Sequence, residues 1–144
     1  MRSRFLLITC TVAWLCCFLV GCGGDGFDRV PVSGTVTCQG IENPSGGLVA
    51  TPAQAGTGAP NVSTIVTDGK FGFPADRGPV AGSYIFEFSL LDPTKGPPAV
   101  GGENPEDARE TGPTIPFRKT VEIPEGGGDS LSIELTPADR VVGM

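Results

Sequence analysis

The chain has no histidine. That absence removes the Ser-His-Asp and Cys-His catalytic arrangements, a histidine general base and every His-ligated zinc site. Aromatic residues make up only 7% of the chain, with one Trp and one Tyr, and charged residues only 18%. Lys and Arg number ten against sixteen Asp and Glu. The basic footprint of a nucleic-acid-binding protein is therefore missing, and no nucleic-acid partner is expected. Phosphate-binding loops are missing too. Gly126-Gly127-Gly128 lies between two strand-like runs, so no helix N-terminus follows it to hold a phosphate. Glycine and proline are plentiful instead, 22 and 14 of 144 residues, a length that suits one domain.

The first residues read as an address. Arg2 and Arg4 precede an uncharged run from Phe5 to Val20, which is followed at once by small residues. A membrane-spanning helix needs about 20 apolar residues, and this run is shorter, so a secretory signal helix over residues 1–21 is expected. Leu19-Val20-Gly21-Cys22 resembles the bacterial lipobox. The resemblance implies cleavage between Gly21 and Cys22, diacylglycerol on the Cys22 sulfur and an acyl group on its new amino terminus. Several acyl chains anchor firmly where one alone holds only marginally. The expected membrane partner is thus reached through lipid on Cys22. Gly23, rather than Asp, follows that cysteine, which by analogy with proteobacterial sorting points to the outer membrane or cell surface.

Cleavage there removes two of the ten cations and none of the sixteen anions, leaving a net charge of −8 on residues 22–144. Of the five cysteines, Cys10, Cys16 and Cys17 leave with the signal and Cys22 carries lipid. Cys38 alone remains, so the mature monomer has no disulfide framework. It reads as a small buried hydrophobe or an intermolecular link, and it has no His to activate it. Residues 22–29 form a short tether, at most about 26 Å when extended.

From Val30 the apolar period is two. Val30, Val32, Gly34, Val36 and Cys38 alternate with polar or turn residues, predicting a half-buried strand. Gly47–Ala53 and Asn61–Thr67 are further strands. Asp68-Gly69 then predicts a tight hairpin into Lys70–Phe73. In Gly82–Leu91, residues Tyr84, Phe86, Phe88 and Leu90 share one parity, the mark of core rather than of a sugar-stacking platform. Thr114–Pro124 and Ser130–Thr136 supply two more strands around a loose turn at 125–129. The expected fold is all-β: a single antiparallel β-sandwich of about seven strands over residues 30–136, preceded by the signal-peptide helix. Its expected core comprises Val36, Phe71, Phe73, Tyr84, Phe86, Phe88, Val121, Leu131, Ile133 and Leu135. Residues 92–113, with nine Gly or Pro, read as one long loop without structure of its own, and 137–144 as a tail.

Val32-Ser-Gly-Thr-Val-Thr-Cys38, Gly47-Leu-Val-Ala-Thr-Pro52, Thr67-Asp-Gly-Lys-Phe71 and Gly82-Ser-Tyr84 together resemble the opening of the carboxypeptidase-regulatory-like domains. The resemblance covers roughly residues 30 to 91 and implies a transthyretin-like or Ig-like sandwich. With the lipobox in front, the whole chain resembles the small lipoproteins of planctomycete-type bacteria. The matching positions are turn and core residues, so the resemblance implies a fold and no chemistry.

Asp68, Asp76, Glu87, Asp92 and Glu122 are dispersed and form no glycosidase-like carboxylate pair. No Asp-x-Asp-x-Asp-Gly calcium loop occurs, and Glu103-Asn104-Pro105-Glu106-Asp107 is only an acidic patch. Lys70, Lys95 and Lys119 carry no isopeptide motif. No catalytic, metal or cofactor site is therefore expected. The leading functional expectation is a non-enzymatic, lipid-anchored envelope protein with a structural or protein-interaction role. The alternative is a carbohydrate- or polymer-binding surface module, whose partner would be an envelope polysaccharide.

Overall fold

A computed structural model describes residues 26–95, 99–101 and 109–142. Strands are β1 Val32–Cys38, β2 Gly46–Pro52, β3 Val62–Val66, β4 Lys70–Phe73, β5 Gly82–Leu91, β6 Ala99–Gly101, β7 Arg109–Thr111, β8 Thr114–Ile123 and β9 Gly128–Leu135. Two sheets form the sandwich, one in the order β4-β1-β9 and the other β3-β2-β5-β8. The fold expected from periodicity is the one observed, all-β with seven strands in the two layers. No α-helix occurs among the described residues; the helical pieces are two 3-10 turns, Pro93–Lys95 and Pro137–Asp139.

Each strand forms because its apolar residues fall on one parity and can be buried together. Val32, Val36 and Cys38 of β1, Leu48 and Ala50 of β2, Phe71 and Phe73 of β4, and Ile133 and Leu135 of β9 all point inward. The inward row of β5 runs Tyr84, Phe86, Phe88, Leu90, as the sequence predicts. Ile85, the exception in the alternation, lies opposite Thr51 and Thr120 on the other face. Phe86 has Phe71, Phe73 and Phe88 around it at ring-centroid distances of 6.1, 6.3 and 6.2 Å, the first two edge-on. Edge-on contacts set the positive rim of one ring against the negative face of another. Gly34 makes room for this cluster, since a Cβ there would stand 2.3 Å from the Leu131 carbonyl oxygen and 2.9 Å from the Phe71 ring.

Four findings refine the expectation. The first strand pairs with the last in parallel, Val36 beside Ile133 and Cys38 beside Leu135, so the sandwich is not purely antiparallel. The Asp68-Gly69 turn forms as predicted, with φ of 49° and 73° and Thr67 bridged to Lys70, but β3 and β4 then enter different sheets. Val121 and Leu131, expected in the core, are partly buried and packed against it. Both lie on strands at a sheet margin, where one side is open. Residues 92–113 are not structureless, because β6 and β7 pair antiparallel there as a separate ribbon.

Candidate functional site

The topology sorts the loops between two ends. Chain entry into β1, the 74–80 loop, the β2–β3 connection and the 124–127 turn share the near end. At the far end lie residues 39–45, Asp68-Gly69, the segment after Leu91 and the turn after Leu135. A cleft of about 280 Å³ opens at this far end between Ile41, Glu42, Asp68, Leu91, Asp92 and Pro113. Beside it, a shallow groove of about 780 Å³ crosses the outer face of the larger sheet. Its floor is Gly46-Gly47 and Ser89, and Ile65, 71% exposed, stands at one margin.

Of the cleft's carboxylates, that of Asp92 is held by local hydrogen bonds. Asp92 Oδ1 accepts from the Thr94 N–H at 2.9 Å and the Thr94 hydroxyl at 2.6 Å. Those hydrogen bonds, the hydroxyl's first, hold its pKa below the ordinary aspartate value, with Lys95 and Arg140 adding to the effect. A carboxylate favoured in its charged form is a weak proton acceptor, so it does not activate the Thr94 hydroxyl it holds. Asp68 occupies the tight turn, where its N–H donates to the Ser45 hydroxyl at 3.1 Å. Glu87 pairs across the outer face with Arg118, whose Nε donates at 3.0 Å. Asp76 pairs with Arg77 at 3.5 Å in the near-end loop, and Glu122 is exposed on β8. The structure thus brings Asp68 and Asp92 to one cleft with Glu42, which sequence reasoning had not grouped with them, and leaves the others apart.

Cys38 is buried, and burial pushes its thiol pKa up, which keeps it protonated and unreactive. Among the described residues no group of three or more His, Cys, Asp or Glu could hold a metal ion. No helix among them is long and apolar enough to cross a membrane. Gly21 and Cys22, where cleavage and lipidation are expected from the sequence, lie outside the described residues, as do Glu103, Glu106 and Asp107. No known protein family, curated protein or solved structure matches the chain.

Proposed function

We propose that this chain is a non-enzymatic, lipid-anchored envelope protein whose β-sandwich serves structure or protein interaction. The observation that carries the reading is Leu19-Val20-Gly21-Cys22, placed directly after a cationic start and an uncharged apolar run. Acylated Cys22 would hold the chain at the membrane. The tether to Arg29 spans at most about 26 Å, so the near end of the sandwich would face the bilayer and the far-end cleft would face away. Gly23 after the lipidated cysteine favours the outer membrane or cell surface. The carboxypeptidase-regulatory-like resemblance fits an accessory module of this kind.

Polymer binding has less to work with. Phe71, Phe73, Tyr84, Phe86 and Phe88 are all buried, which takes the strand aromatics away from any sugar ring. Binding to a glycan array by the released chain would reverse that preference. The anchor itself is tested by labelling with a fatty-acid probe and by membrane fractionation. The wild-type chain is expected to carry label and sediment with membranes, and Cys22→Ala to lose both. A Cys22→Ala chain that stays labelled and membrane-bound would sink the reading.

A further inference from the structure

Phe71, Phe73, Tyr84, Phe86, Phe88 and Phe117 are all buried in the sandwich. Phe27, 39% exposed at the near end, is the exception among the described aromatic residues. It does not hang on a loose thread. The Arg29 N–H donates to the Phe27 carbonyl at 2.9 Å, closing a three-residue turn. Arg29 bridges Val80 antiparallel, and its guanidinium donates to the Gly78 carbonyl at 2.9 Å while standing over the Phe27 ring, 5.7 Å from its centre. The Val30 N–H donates to the Pro79 carbonyl at 2.8 Å. Gly78 permits this close seating, since a Cβ there would stand 2.1 Å from the Val30 carbonyl oxygen. Residues 27–30 are therefore fastened to the 78–80 loop, and the ring is held in place at the near end.

We propose that Phe27 is a second membrane contact, its ring entering the interface of a neutral phospholipid bilayer while the Arg29 guanidinium stays at the level of the phosphates. The proposal rests on the lipid anchor at Cys22 and adds to it a contact made by the folded domain itself. Phe27 follows Cys22 by five residues, so an acylated cysteine keeps it within about 17 Å. The tether thus delivers the one exposed aromatic side chain to the lipid headgroups. Aromatic rings are favoured at that level of a membrane. An arginine beside such a ring lays its stem along apolar surface and leaves its charge in water.

The charge of the near end selects the lipid. Asp28, Asp76 and Glu125 are exposed there against Arg29 and Arg77, and Arg77 is already paired with Asp76 at 3.5 Å. Anionic bilayers attract clustered Lys and Arg, which this end does not offer. A zwitterionic lipid such as phosphatidylcholine is the fitting partner. A second copy of the chain fits less well, because a symmetric contact around Phe27 would set Asp28 and Asp76 against their own likes. Two attachments also fix a pose that one cannot. Acyl chains on a glycine-rich tether let the domain turn freely, whereas a seated ring five residues on holds the near end down and the far-end cleft outward.

Trp14, the only tryptophan, precedes the expected cleavage, so an indole placed by Phe27→Trp is the sole one in the mature chain. With the acylated chain in phosphatidylcholine vesicles, its emission is expected to shift to the blue and to be lost when the lipid acyl chains are brominated. Val142→Trp, at an 82% exposed position next to the Val141 contact with Pro116, should show neither change. The unacylated chain carrying Cys22→Ala and Phe27→Trp should emit in solution as an indole in water does. Three results overturn the proposal. A Phe27→Trp chain that floats with the vesicles while its indole stays unshifted and unquenched refutes the ring contact and leaves the anchor standing. Failure to float refutes the anchor and the contact with it. A blue shift in solution, without vesicles, shows that protein rather than lipid covers Phe27.

Discussion

Phe86 lies among three other rings, fully buried, opposite Lys119 on one neighbouring strand and Ala50 on the other. Val121 shares its inward parity on β8 but is only partly buried. The two positions separate parity from depth. Phe86→Ala should lower stability by about 3–5 kcal/mol, the range for emptying a buried aromatic site. Val121→Ala should lose less than half as much, because its cavity opens to solvent. Denaturant titration of both variants checks the contrast, and equal losses would refute it. Lys119 shows the same limit from the other side. Its position is inward by register, yet its long stem carries the ammonium past the β9 edge to Glu134 and Asp139. Alternation marks which way a residue points; it does not say how near an edge that residue lies.

At the scale of elements, the Asp68-Gly69 pair is the instructive one. Positive φ at both residues makes the tight turn the sequence promised. Val62 and Val66 before it, and Phe71 and Phe73 after it, must all face the same core. The strands meet that demand by crossing from one sheet to the other, tied by the Thr64 hydroxyl donating to the Gly72 carbonyl at 2.8 Å. Local turn chemistry is the same for a hairpin and for such a corner. The β6–β7 ribbon illustrates an element the sequence did not announce. Three-residue strands rich in neighbouring Gly and Pro leave no readable period, and pairing alone defines them. That ribbon pairs with neither sheet, and its base is closed by the Asp92 N–H to the Pro113 carbonyl at 2.9 Å. Replacing residues 94–112 with a short Gly/Ser linker should therefore leave the β-type circular dichroism unchanged and shift stability little, since closure entropy varies slowly with length. Unfolding of the shortened chain would show that this segment packs onto the sandwich.

On the scale of the whole molecule, the parallel β1–β9 pair links the start of the domain to its end. Ile133 and Leu135 complete a core that β1 and β4 cannot close by themselves. A chain cut after Gly127 would expose the β1 edge and the rings beneath it. We expect such a truncation to lose its fold, seen as random-coil circular dichroism and rapid proteolysis, in contrast to the tolerated loss of the ribbon. A truncated chain with native-like protection would contradict the central role of that pair. Pairings this distant in sequence also predict slow folding relative to a helical domain of equal size.

The strands, the Asp68-Gly69 turn and most core residues were legible in the sequence because a half-buried strand leaves a period of two, and a tight turn demands residues that tolerate positive φ. The resemblance of Leu19-Val20-Gly21-Cys22 to a lipobox rests on a contiguous run of residue types too, and it underlies the proposed anchor. The candidate cleft was not. Glu42, Asp68 and Asp92 reach one end of the fold from three separate connections, and nothing local to any of them records the other two. The same holds for the parallel closure of β1 on β9 and for the meeting of Asp139, after β9, with Lys119 of β8. Periodicity and turn preference are properties of neighbours along the chain. Sheet order, edge coverage and the meeting of distant charges depend on how two layers bury one shared core, and only the tertiary structure decides that.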